Sequence, residues 1–191
     1  MPDVFEVLSK DHNEVERMCR ELENSPSVST GATEEQLAQR KELVEQLIIE
    51  ESKHEAVEEE YFWPSVRELV QGGDSLADTA IGQEDQAKHM LDQLRTMSAD
   101  NVEFESLLTR LIADGREHIA YEENQVWPGM RKMLTPDRAA ELGSKLEEGK
   151  KAAPTRPHPK TPAKPGVLKT AGAGAGLMDR VRDAVTRRGK H

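Results

Sequence analysis

The chain has 191 residues, a net charge of −10 at pH 7, 36% hydrophobic residues and only 4% aromatic ones. That length supplies one core with room for an appendage, and its Glu, Lys, Arg, Leu and Ala content with so few aromatics excludes a typical sandwich or barrel in favour of helices. No run approaches the ~18 apolar residues of a membrane span, the opening MPDVFEVLSKDHNEVE lacks the basic-then-apolar order of a signal peptide, and the lone Cys19 cannot form an intrachain disulfide, so the expected compartment is the reducing cytoplasm.

The first predicted helix covers 3–24. Asp3 and Glu6 have capping-box spacing, and Phe5, Leu8, Val15, Cys19 and Leu22 form an apolar stripe that His12 completes. Cys19 reads as a small core residue. The second helix, 33–70, opens on Thr33 with Gln36 and aligns Val44, Leu47, His54, Glu58 and Tyr61. Gly72-Gly73 is a stop, after which Asp74 or Ser75 can begin a third helix over 75–98. A fourth, 101–126, starts from Asp100 with Glu103 and aligns Leu108, Leu111, Gly115, His118 and Glu122. Thr135-Pro136 opens a short fifth helix over 136–149. The expectation is an all-α, up-down four-helix bundle over 1–149, with the fifth helix appended.

Beyond residue 149 the chain changes character. Residues 1–149 carry 15 Lys+Arg against 34 Asp+Glu, whereas residues 150–191 carry 11 against 2. Residues 150–176, rich in Pro, Lys, Ala and Gly, are predicted to be a disordered linker. In 177–191, Leu177, Val181 and Val185 at i, i+4 and i+8 predict a short basic amphipathic segment. No aromatic residue is interleaved for base stacking, so nucleic acid is not the expected partner. A tether folded against its own acidic bundle, or a contact to a protein partner, fits better. His158 and His191 of this tail are not expected to bind metal.

The strongest signal is an internal repeat at an offset of 64 residues. His54-Glu55-Ala56-Val57-Glu58-Glu59-Glu60-Tyr61-Phe62-Trp63-Pro64 matches His118-Ile119-Ala120-Tyr121-Glu122-Glu123-Asn124-Gln125-Val126-Trp127-Pro128 at six of eleven positions. On a helix, residues i and i+4 project from one face a turn apart, so each His-x-x-x-Glu offers an imidazole and a carboxylate to adjacent points in the core. His12 and His89 add one imidazole to each helix preceding a repeat. A single histidine on an apolar face is usually a hydrogen-bonded core residue, but four of them with two glutamates are costly to bury unless a metal or mutual pairing compensates. Glu59, Glu60 and Glu123 read as a solvated acidic face, and Trp63 and Trp127 as seals at the bundle end.

The order His, His-x-x-x-Glu, His, His-x-x-x-Glu over residues 3–130 resembles the hemerythrin or HHE cation-binding family, four-helix bundles around two non-haem irons. The resemblance implies His12, His54, His89 and His118 as terminal ligands, Glu58 and Glu122 as bridges, and an oxo or hydroxo group shared by the irons. The chain departs from the oxygen carriers of that family. His89 is followed four residues later by Gln93 rather than a second histidine, and His118 leads to Glu122 rather than to an aspartate five residues on. Two histidines on each iron would leave both with an open position, which favours catalase-like peroxide decomposition over oxygen carriage. Gln93, Glu59 or a tyrosine could add a ligand and change that count, and Tyr61 and Tyr121 are candidates to hydrogen-bond a bridging carboxylate, with plain packing as the alternative. Mixed nitrogen and oxygen ligation suits iron first and manganese second, and the absence of clustered cysteines argues against a thiolate zinc site. The expected small ligands are H2O2, O2 and NO. The alternative function is a non-enzymatic O2, NO or iron sensor signalling through the basic tail.

Overall fold

The computed structural model describes residues 1–160, 166 and 173–186, the side chains of 173 and 183–186 excepted. Helix α1 covers Val4–Asn24; α2 is the continuous run Glu34–Val57, Glu58–Phe62 and Trp63–Leu69; and α3 covers Gly73–Thr96. Helix α4 is the run Val102–Tyr121, Glu122–Val126 and Trp127–Met133, α5 covers Pro136–Ala152, and α6 covers Ala173–Thr186. The first four form an all-α bundle in which α1 packs on α2, α2 on α3 and α3 on α4, with α5 laid along α1.

The helix starts follow local chemistry. Asp3 and Glu6 exchange side-chain and backbone hydrogen bonds in a complete capping box, as do Thr33 and Gln36. Thr135 accepts from the Arg138 N–H ahead of α5. Two starts differ from expectation. Asn101 rather than Asp100 caps α4, accepting from the Glu103 N–H, and α3 begins at Gly73 with Gly72 as a left-handed cap rather than at Asp74 or Ser75. Gly72 has φ 76°, which side-chain-bearing residues rarely adopt, and a Cβ on Gly73 would lie 2.2 Å from the Val66 carbonyl oxygen, so the α2–α3 turn requires both glycines.

The fourth helix runs to Met133, past its expected end near 126. The reason lies in the repeat. Pro64 and Pro128 have no N–H, and their rings exclude the carbonyl four residues back. The chain answers with one π-helical turn in each helix, Glu58–Phe62 and Glu122–Val126. There the Trp63 N–H reaches Glu58 O and the Trp127 N–H reaches Glu122 O, five residues back, so each helix passes its proline without breaking.

Two apolar clusters fill the bundle. One gathers Val4, Phe5, Leu8, Phe62, Trp63, Val66, Val126, Trp127 and Met130 with Ala139, Leu142 and Leu146 of α5. The other gathers Val15, Met18, Cys19, Leu22, Leu47, Ile48, Leu91, Leu94, Phe104 and Leu108. Burial pushes the Cys19 thiol up to about 12, consistent with a core role. Buried Arg40 ties three helices together beyond the second cluster, donating to Leu22 O and Ser25 Oγ at the end of α1 and to both Glu105 carboxylate oxygens on α4.

The basic region begins packed rather than as a disordered linker. Helix α5 extends to Ala152, and Ala153, Thr155 and Pro157 are buried. His158 Nε2 lies 3.0 Å from the buried Asp179 of α6, and Arg180 donates to the Ala153 carbonyl. Most of the linker's remainder, residues 161–165 and 167–172, and residues 187–191 with His191, lie outside the described residues. Among the described residues no helix is long and apolar enough to cross a membrane.

Gly73 and Gly82, both in α3, separate close packing from propensity. Gly73→Ala should destabilise the protein by about 1–3 kcal/mol through its backbone clash, whereas Gly82→Ala, with nothing within 4 Å of the added carbon, should stabilise it by ~0.8 kcal/mol. Urea unfolding of the two variants would show midpoints moving in opposite directions.

Candidate metal centre

Between the two apolar clusters lies a polar layer supplied by all four bundle helices. His12 comes from α1, His54 and Glu58 from α2, Glu84 from α3, and His118 and Glu122 from α4. Ligand atoms of His12, His54, Glu58 and Glu122 all lie within 4.8 Å of one another, and so do those of Glu58, Glu84, His118 and Glu122. His12 Nε2 is 3.0 Å from Glu122 Oε2, His54 Nε2 is 3.1 Å from Glu58 Oε2, and His118 Nε2 is 3.3 Å from Glu122 Oε1. The two π turns begin at Glu58 and Glu122, so both repeats place their glutamate where the helix widens.

The far side of each imidazole is also held. His12 Nδ1 is 2.8 Å from Glu123 Oε1, His54 Nδ1 is 3.3 Å from Asp11 Oδ2, and His118 Nδ1 is 3.0 Å from Gln83 Oε1. Each partner is an acceptor, so each Nδ1 carries a hydrogen and the Nε2 faces the carboxylates, the arrangement of a metal-ligating histidine. Asp11 is itself paired with Lys150 of α5. Trp127 stacks on His12 at 5.3 Å, and Trp63 Nε1 donates to Glu84 Oε1 at 2.5 Å.

The electrostatics call for cations. Burial, then repulsion from Glu122 and Glu84, pushes the Glu58 carboxyl well above its ordinary range. Burial likewise lifts Glu84 to about 8. Burial also opposes the charge on Glu122, yet His118 and His12 hold its carboxyl below the usual range. Burial would lower the His118 imidazolium, but Glu122, Glu84 and Glu51 hold it up at about 9. Both oxygens of Glu58 and of Glu122, Glu84 Oε2, His12 Nε2 and His118 Nε2 are buried without a hydrogen bond. Leaving so many polar atoms unsatisfied in a core is costly, and a donor set of this kind at this spacing fits divalent or trivalent metal ions.

The family model for the hemerythrin HHE cation binding domain matches residues 3–129. The chain belongs to that family. It is 26% identical to an uncharacterized hemerythrin-like protein of Schizosaccharomyces pombe over 184 residues, 96% of this chain and 86% of the relative. A DNA nickase of Nostoc is 23% identical over 148 residues, 78% of this chain but 39% of the nickase. The crystal structure of a hemerythrin HHE cation binding domain-containing protein from Mycobacterium kansasii superposes with a TM-score of 0.64 at 21% identity, over 79% of this chain and 86% of the other.

Within this hemerythrin-like bundle the expected residues are divided. His12, His54, Glu58, His118 and Glu122 meet in the centre. His89 does not: it is exposed on α3, its Nδ1 2.7 Å from the Asp85 carbonyl, and Glu84 stands at the α3 position of the centre instead. The buried residues Ala77, Ala80, Leu91 and Leu94 define the inner stripe of α3; Glu84 continues that 3-4 spacing and His89 falls off it. Gln93 is likewise exposed. Tyr121 hydrogen-bonds the Leu76 carbonyl, and Tyr61 packs against the first apolar cluster. Glu59, Glu60 and Glu123 are not a plain solvated face. Glu59 pairs with the buried Lys88, Glu60 accepts from the Gly166 N–H, and Glu123 orients His12. Trp63 and Trp127 touch the centre's own donors rather than only sealing the bundle. Asp11 and Gln83 carry no motif in the sequence.

Two outcomes follow from this geometry. Glu123→Ala should weaken metal binding by about 10–100-fold in chelator competition, while His89→Ala leaves it unchanged. For chelated protein, the His118 contribution is complete below its unfolded value of 6.5 and is lost as pH rises through about 9, and Glu84 favours the unfolded chain increasingly from its unfolded value of 4.5 up to about 8. Glu122 is ionised in both states there and adds no slope. Thermal melts in chelator should therefore fall by several degrees between pH 6.5 and 9, at about 2–4 °C per kcal/mol, and metal-loaded protein should lose much less.

Proposed function

We propose that the centre binds two iron ions bridged by Glu58 and Glu122 and that the protein decomposes hydrogen peroxide in a catalase-like cycle. The observation that carries this reading is that these two carboxylates, and no other residues, are common to both ligand groups. When bound, the irons supply the two-electron exchange by which two molecules of hydrogen peroxide become dioxygen and two waters.

The chain's own residues supply position, access and proton handling. Asp11, Glu123 and Gln83 orient the three imidazoles. A cavity of about 350 Å³ bordered by His12, His54, Glu84 and His118 opens past Gln86, Arg110 and Glu117, which suits a small oxidant. Glu51 lines it, its carboxyl raised by burial, so it can retain a proton taken from peroxide and return it to the departing water. A second reading is gas or redox sensing by O2, NO or iron. It draws on the chain of contacts from His54 through Asp11 to Lys150, which joins the centre to α5 and the basic tail that follows it.

Elemental analysis and an oxygen electrode on freshly loaded protein test both parts. Close to two irons per chain and rapid oxygen release, abolished in His54→Ala and Glu122→Ala, are expected. Two irons without turnover would overturn the peroxide reading in favour of sensing, and failure to retain iron after anaerobic loading would overturn the centre itself.

A further inference from the structure

The two groups that share Glu58 and Glu122 differ in every remaining donor. One adds the imidazoles of His12 and His54, and the other adds the imidazole of His118 and the carboxylate of Glu84. The surroundings sharpen the difference. Both histidines of the first group face carboxylates at Nδ1, Glu123 and Asp11, which raise the basicity of the ring, whereas His118 faces the neutral amide of Gln83. Glu84 is fixed from behind by the Trp63 N–H on Oε1, while Oε2 is buried without a hydrogen bond.

We infer that the centre has two unequal metal positions: a nitrogen-rich one at His12 and His54 that fills first, and an oxygen-rich one at Glu84 and His118 that fills second and discriminates little between Fe(II) and Mn(II). Imidazole favours iron over manganese along the ordinary order of divalent-metal affinities, whereas carboxylate is a hard donor suited to manganese. Replacing one imidazole with Glu84 removes part of the preference for iron at that position only. The added negative charge also favours the higher oxidation state of whichever ion sits there. The inference rests on the reading that the centre binds two ions.

Anaerobic titration of chelated full-length protein with Fe(II), with Mn(II) and with an equimolar mixture, followed by calorimetry, elemental analysis and electron paramagnetic resonance, tests it. Fe(II) should bind in two steps separated by about tenfold or more, about 1.4 kcal/mol per decade. The mixture, supplied in excess, should place iron at the first position and either ion at the second, about 1.5 irons and 0.5 manganese per chain, with a spin-coupled mixed-metal signal from the mixed chains. Glu84→Gln, which keeps an acceptor for the Trp63 N–H, should weaken the second step by about tenfold or more while sparing the first; His12→Ala should weaken the first. Two equivalent steps in the unaltered protein, or a mixture yielding only iron, would overturn the inference while leaving a two-metal centre standing. Binding of fewer than two ions under every loading condition would overturn the centre and this inference together.

Discussion

Three carboxylates and three imidazoles meet in a water-poor layer between two apolar clusters, and the rest of the bundle is arranged to make that convergence tolerable. Glu58, Glu84 and Glu122 would repel one another strongly if all were ionised. In the metal-free chain burial works against a charge on His118 and His12, but the neighbouring Glu122 raises the proton affinity of both. Metal ions would displace protons from both and neutralise all three acids together, so binding and folding are thermodynamically linked. The apolar clusters above and below, containing Phe62, Trp63 and Trp127 on one side and Phe104 on the other, exclude the water that would otherwise screen the charges.

Holding the acids at the right depth falls to the paired π turns. A regular α-helix carrying Trp-Pro five residues after the glutamate would leave a carbonyl facing a proline ring. Widening the helix by one residue removes that conflict and directs the following aromatics inward. Trp63 then reaches Glu84 on α3, and Trp127 stacks on His12 of α1, so each repeat braces a donor belonging to another helix. The repeat thus encodes a ligand pair, a backbone irregularity and a cross-brace within eleven residues.

Much of this was legible in the sequence because it is local. Helical periodicity, two capping boxes and the 64-residue repeat identify the bundle and five of the six side chains that meet between the clusters. The error on α3 has a physical origin: chemistry favoured His89, while the apolar stripe of Ala77, Ala80, Leu91 and Leu94 pointed the neighbouring turn of Glu84 inward. Phase on the helix outweighs residue type when deciding which side chain reaches a core. The acceptors Asp11, Gln83 and Glu123 were beyond reach because each acts across helices, on a histidine between 35 and 111 residues away.

The charge asymmetry between bundle and tail gains a structural meaning from its contacts. Lys150, in the last turn of α5, pairs with Asp11 and through it with His54, and the Gly166 N–H is accepted by Glu60 inside the first π turn. The tail therefore touches the bundle on the same helical segments that set His54 and Glu58. Neutralising acids near the centre by a folded-back cation lowers the repulsion that the metal-free bundle must carry, at a cost in chain entropy that falls on the tail. Lys150 is in this respect an internal counterion, set against Asp11 beside one of the imidazoles of the centre.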